Sequence, residues 1–255
     1  MPLLATAGFF VLGIGSYAWI SFGFLGTYSV DLRWAFTTRI ALLLFAVPFF
    51  VLTGRPIALA RAALSGLPLR ILERILVSWP IRLVGNAIFA TLLALAAFMV
   101  FLTPFAFVLR DTPGWEWAIT VLVPIVGVLM ILPIADSTLA KSSLFITAEF
   151  LLVFVELVLD ALPGILLRLN GAVLDGASTM AAGLPAWFPN PLRDQQLSGD
   201  LLWFIAEIAD IPVLILLFAR WLRSDRHEAR NFDELTDEQM DELTRAHLRR
   251  NSDGS

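Results

Sequence analysis

Apolar residues run along this chain in long uninterrupted blocks, and charge is confined to the joints between them. Residues 3–27 hold no charged side chain, and further apolar blocks follow at about 36–53, 85–109, 115–135, 142–167 and 200–220. Blocks of about 20 residues match the hydrocarbon core of a bilayer. Each is bounded by charges or by Pro and Gly, and strict alternation of apolar and polar residues is missing, which argues against a β-barrel. Within lipid the backbone must then satisfy its own hydrogen bonds as helix. The expected fold is an all-α integral membrane protein, a bundle of about six transmembrane helices in residues 1–220, with a charged cytoplasmic tail at 221–255. No Lys or Arg precedes the first block, and the block is too long for a cleaved signal peptide.

Two connections have a character of their own. Between Pro68 and Pro80, Arg70, Glu73 and Arg74 share one helical face and Ile71, Leu72, Ile75 and Leu76 fill much of the rest. That pattern predicts an interfacial helix over about 69–79, lying on the inner leaflet. The connection 168–199 is rich in Gly, Pro and small residues around Trp187 and Phe188. It reads either as a cap that could meet a partner or as a plain loop. In the tail, Thr236 and Gln239 have the spacing of a helix-starting capping box.

Basic residues set the orientation. With six spans, one side receives Arg55, Arg61, Arg70, Arg74, Arg82, Lys141, Arg220, Arg223, Arg226 and Arg230. The other receives Arg33, Arg39, Arg110, Arg168 and Arg193. The richer side is cytoplasmic, so both termini are expected there. Trp34, Trp115, Trp117 and Trp187 then fall at the outer boundary, and Trp79 and Trp221 at the inner one, where amphipathic rings prefer to sit.

Composition narrows the function. The 255 residues are 58% hydrophobic and 16% charged, with a mean hydropathy of +0.79. A soluble domain carries about 25% charged residues, so an ordinary globular enzyme is excluded. The net charge of −4 offers nothing to nucleic acid. Cysteine is absent, and with it disulfides, thiolate metal sites and a catalytic thiol. Both histidines, His227 and His247, lie in the tail. No Ser/His/Asp set and no phosphate-cradling Gly loop is present, and the expectation is that the protein is not an enzyme.

Ionisable residues within the spans are retained against an energetic penalty and are the informative ones. The fifth span carries Glu149, Glu156 and Asp160 on one helical face, and the sixth carries Glu207 and Asp210, with Trp203 a turn above Glu207. Arg39 lies a turn inside the second span. At ~1.5 Å of rise per residue, Arg39, Asp160 and Glu207 fall roughly 4–9 Å to the outer side of the midplane. One reading has Arg39, Asp160, Glu207, Glu156 and Asp210 forming a polar pocket open to the outside. The other has Arg39 pairing with one carboxylate and fixing helix packing, while the other acids are protonated. Five acids against one Arg are too many for simple pairing, so some should face water or a cation.

Asp194 to Arg230 reads DQQLSGDLLWFIAEIADIPVLILLFARWLRSDRHEAR. This resembles the C-terminal end of the CtaG family of bacterial cytochrome c oxidase assembly proteins, where DQQ-L-x-G leads into W-x-x-x-E and a W-x-R-S-D-x-x-E-A-R exit. The matching positions are Asp194, Gln195, Gln196, Leu197, Gly199, Trp203 and Glu207, then Trp221, Arg223, Ser224, Asp225, Glu228, Ala229 and Arg230. Pro48 to Leu64 resembles the family's P-x-L-V-L-G-x-P-x-x-L segment. Gly127 and Asp136 fit the fourth helix and its G-x-D turn, and Ala161 and Gly164 fit the end of the fifth. The resemblance covers roughly residues 34–230.

It implies a multi-pass protein of the bacterial plasma membrane whose partners are cytochrome c oxidase subunits or assembly intermediates, and a link to copper supply from the outer side. The family's histidines, at the outer start of the second span, in the fourth and late in the fifth, are replaced here. Those neighbourhoods hold Trp34 to Ile40, Thr120 to Leu122, and Asp160. Copper therefore enters by resemblance only, no metal site and no cofactor is predicted, and an Arg39–Asp160 charge pair is expected where a metal site would have been. Three functions follow: an assembly factor that is not itself a histidine-based copper site, a stable accessory subunit of the oxidase or its supercomplex, or a small ion or proton transporter using the acidic stripe.

Overall fold

A computed structural model describes residues 6–84, 86–135, 143–174, 187–188 and 190–233. The described residues form ten helical segments and no strand. Helix α1 is Gly8–Tyr28, which opens with a π-helical turn and breaks at Gly23, and α2 is Arg33–Thr53, with a break at Phe45. Short helices α3 (Pro56–Ala63), α4 (Leu67–Leu76) and α5 (Trp79–Val84) follow. Then come α6 (Ala87–Met99, extended by a 3-10 turn at Val100–Leu102), α7 (Phe105–Asp111), α8 (Pro113–Ala135), α9 (Ser143–Leu169) and α10 (Pro191–Asp233).

Among the described residues, three helices are long and apolar enough to cross a membrane: Gly8–Tyr28, Arg33–Thr53 and Pro113–Ile131. A fourth counts if the bent pair Ile88–Leu102 and Phe105–Asp111 is a single span. The apolar block 85–109 is thus not a straight rod. It turns by 88° at Thr103–Pro104, where proline removes a backbone donor and disfavours helix at the residue before it. The predicted interfacial segment 69–79 falls on α4 and the first residue of α5, divided at Val77–Ser78. Gly66, at φ 64°, makes the turn into α4. Arg61 on α3 reaches Glu73 on α4 at 2.9 Å, an exposed pair that adds little stability. Thr236, Gln239 and the rest of 234–255 lie outside the described residues.

Helix α2 is the central post. Of its most apolar stretch 61% lies inside the protein, against 17% for each flanking span, α1 and α8. Phe36, Ile40, Ala41 and Leu44 of α2 pack with Phe98, Phe101, Ala106, Leu167 and Leu202 in one core. Phe36, Phe98 and Phe101 meet with ring centroids 6.0 and 6.2 Å apart. A second cluster joins Ile20 of α1 to Leu43 and Val47. Gly127 lets α8 lie directly on α2, since a Cβ there would strike the Leu44 carbonyl and come to 2.5 Å from Pro48 Cγ. The most extensive helix pair is α9 with α10.

Candidate functional site

The first-turn N–H groups of a helix need acceptors from outside it, and in α2 these come from the far end of the chain. Asp194, on the first turn of α10, accepts from Arg33 N at 2.8 Å with Oδ2 and from Trp34 N at 2.9 Å with Oδ1. Next to it Gln195, fully buried, accepts from Arg33 Nη1 at 2.6 Å and from Leu174 N at 2.9 Å. Its amide nitrogen donates to Ala172 O at 2.9 Å and to Leu167 O at 3.4 Å. Arg33 Nη2 also donates to the carbonyl of Phe101. One turn on, Ser198 and Thr37 hydroxyls are 2.8 Å apart. Two consecutive residues of α10 thus tie α2 to the end of α9, and Arg33 extends the network to the turn after α6.

Burial is the largest influence on the Asp194 carboxyl, which lies before the 200–220 block, and lifts it above the ordinary aspartate range. The two backbone N–H groups pull the other way, as do Arg110 and Arg33. Arg33, Arg39 and Arg110 are 2%, 2% and 4% exposed. Three of the five basic residues assigned to the outer side are therefore inside the fold rather than in loops. Aromatic rings cover the same end: Trp34 stacks on Phe24 at 5.7 Å, and Tyr28 meets Trp187 at 5.9 Å and Phe188 at 6.2 Å.

The structure gives Arg39 a different partner from the expected one. Its guanidinium donates to Ser29 Oγ at 3.0 Å, Thr120 Oγ1 at 2.6 Å and Glu116 Oε1 at 3.3 Å. Its carboxylate is Glu116, and the expected pairing with Asp160 is corrected accordingly. Depth arithmetic places residues along the bilayer normal and says nothing of which way each side chain points around its helix. Arg39 and Thr120, two of the three neighbourhoods where the family carries histidine, do meet. Glu116 is only partly buried, so the hydroxyl bonds dominate. Arg39→Met should lower stability by about 1–3 kcal/mol through the lost hydrogen bonds, and Glu116→Gln by under about 1 kcal/mol. Unfolding of the detergent-solubilised variants measures both.

The acids of α9 and α10 form a separate group. Asp160 has Glu156 and Asp210 as its charged neighbours, and Asp210 has Glu156 and Glu207. Thr91 of α6 hydrogen-bonds Glu156. Asp160 is 1% exposed and Asp210 8%, and Asp160 Oδ1 and Asp210 Oδ2 find no hydrogen-bond partner among the described residues. Glu207 is half-exposed and accepts from the Trp203 indole at 2.7 Å. So Glu156, Asp160 and Asp210 come together with Glu207 at their edge, while Arg39 is engaged on α8. Among the described residues, no group of three His, Cys, Asp or Glu side chains could hold a metal ion.

Gly199 and Gly164 make the α9–α10 crossing. A Cβ on Gly164 would come to 2.7 Å from Gly199 O and 2.8 Å from Trp203 Cβ, and one on Gly199 would strike the Gly164 carbonyl. Gln196 is half-buried beside this crossing. Asp136 and the side chains of Glu149 and of Arg223 to Arg230 lie outside the described residues. Arg33, Glu116, Thr120 and Ser198 belong to the polar framework; from sequence Arg33 enters only as an outer-side basic residue and Thr120 only through the resemblance, and Glu116 and Ser198 are not singled out. Glu116 and Thr120 were legible as a polar pair four residues apart at the start of an apolar block; the burial of Arg33 left no local signal.

A family model described as cytochrome c oxidase caa3 assembly factor matches residues 2–224. No curated protein and no solved structure matches the chain.

Proposed function

The chain belongs to the cytochrome c oxidase caa3 assembly factor family, and on that premise we propose that it holds an oxidase subunit or assembly intermediate in the bacterial plasma membrane during maturation. The match over residues 2–224 carries this reading. Six membrane crossings with both termini in the cytoplasm belong to the same proposal. Helix α9, with 27 residues, and the 200–220 part of α10 are long enough to supply the crossings beyond α1, α2, the bent α6–α7 pair and α8. The sequestering of Arg33, Arg39 and Arg110 supports the orientation, because it leaves fewer basic residues in the outer loops to oppose insertion in this sense.

Copper fits this chain poorly. Imidazole and sulfur ligands suit copper, whereas carboxylates suit harder ions. Here Cys is absent, both His residues lie beyond residue 220, and the buried polar groups at the family's histidine positions are a guanidinium, hydroxyls and carboxylates. The role proposed is one of holding a protein partner, with Asp194, Gln195 and Arg33 keeping the bundle's outer end in shape.

Deleting the gene tests the reading. Assembled oxidase, followed by its haem difference spectrum, should fall severalfold and return on complementation, while purified protein retains less than stoichiometric copper. Unchanged oxidase would overturn the proposal. A one-to-one copy in the mature enzyme would make the chain a resident subunit instead.

A further inference from the structure

We propose that the face of α10 around Glu207 docks a transmembrane helix of a partner protein that carries a lysine or arginine at matching depth. The proposal rests on the assembly-factor reading and adds to it the surface and the chemistry of the contact.

Among the described residues, Arg39 pairs with Glu116 and Arg168 with Asp200, away from this group. Asp194 has Arg33 and Arg110 as charged neighbours. The group on α9 and α10 differs, for among the described residues the charged neighbours of Asp160 are Glu156 and Asp210, and those of Asp210 are Glu156 and Glu207. Two of its oxygens are buried without a hydrogen-bond partner among the described residues. A low-dielectric site that concentrates one sign of charge calls for the opposite sign.

Geometry shows where that charge can enter. Asp160 is enclosed, and Asp210 links it to Glu207 at the surface of the pair. Glu207 lies about 10 Å along the helix from Asp200 at the start of the 200–220 block, a depth at which facing lipid is costly for a carboxylate. Among the described residues, an indole N–H is what holds it. Around it Trp203, Phe204, Ile208 and Ile211 are 43–61% exposed, giving apolar contact on either side of a single anionic centre. A passing helix with one basic residue satisfies both, and its cation also offsets the field on Asp210 and, through it, on the buried pair.

A photo-crosslinking residue placed at Phe204, in full-length protein in cells whose oxidase depends on this chain, provides the test. A second probe at Trp19, exposed on α1, serves as reference. The Phe204 probe should capture one membrane segment containing Lys or Arg, and the Trp19 probe should not. Glu207→Gln should reduce the yield at least fivefold, and Glu207→Lys combined with reversal of the captured basic residue should restore it. Ile211→Trp, which blocks the face but leaves the carboxylate, should reduce it too and stands in if Glu207→Gln fails to accumulate. Capture of lipid alone, capture of a second copy of this chain, or a yield indifferent to both variants overturns the proposal. So does proton or cation flux in liposomes that disappears in Glu207→Gln while no segment is captured. If gene deletion stops oxidase assembly but Glu207→Gln and Ile211→Trp are silent, docking here fails and the functional reading stands. If deletion itself is silent, the functional reading fails.

Discussion

Asp194→Ala is expected to be the most damaging single truncation where α10 meets the start of α2. The carboxylate accepts from two consecutive N–H groups at the start of α2, the helix on which the core is built. Removing it leaves those donors and the neighbouring Arg33 and Arg110 without their shared anion. Loss of one partner from a buried charged network costs about 3–5 kcal/mol, a large part of the margin of an ordinary fold. Asp194→Asn keeps one acceptor and the shape but loses the charge, so its loss should be smaller, about 1–2 kcal/mol. Unfolding in mixed micelles should rank wild type above Asn above Ala. Equal stability of the Ala variant would mean that α2 is held by its apolar contacts alone.

Bulk at the α9–α10 crossing should be the second large effect. Gly199→Leu is expected to abolish accumulation, because the added atoms meet backbone, which cannot turn aside: the Gly164 carbonyl, and Arg168 N at 2.8 Å. Gly199→Ala should cost about 1–3 kcal/mol, in the range of an overpacked core. Gly114→Ala is the control, since nothing lies within 4 Å of a Cβ there, and it should be neutral or stabilising by about 0.5–1 kcal/mol. Yield of membrane-inserted protein and its unfolding midpoint read both. If Gly114→Ala were as harmful as Gly199→Ala, close approach of the helices would not be the reason for either.

Periodicity and hydropathy made the helices legible because lipid leaves a buried backbone no other choice. They were weaker on everything that depends on rotation about a helix axis. Arg39 reads from sequence as a charge whose partner has to be found, but Asp160 and Glu207 share its depth and look equivalent, and Glu116, near the mouth of its helix, does not compete. Arg33 looked like a loop charge because it begins a helix; only the fold shows it enclosed by Gln195 and Phe101. The resemblance flagged Asp194 and Gln195 without a reason for them. Their partners lie about 160 residues away in sequence, beyond the reach of any local pattern. The bend at Thr103–Pro104 was written in the chain as proline inside an apolar block, a signal masked by the evenness of the hydropathy around it.

Helix α10 runs for 43 residues, about 64 Å at its ordinary rise, roughly twice the hydrocarbon thickness. Its first turn is clasped to α2, and some 13 residues continue beyond Arg220, about 20 Å past the end of the apolar block. The segment joining that first turn to Asp233 is therefore one continuous helical run, with Pro212 inside it. A body moored near Asp233 would stand well clear of the apolar block, and a tilt imposed there would be carried along α10 toward the start of α2.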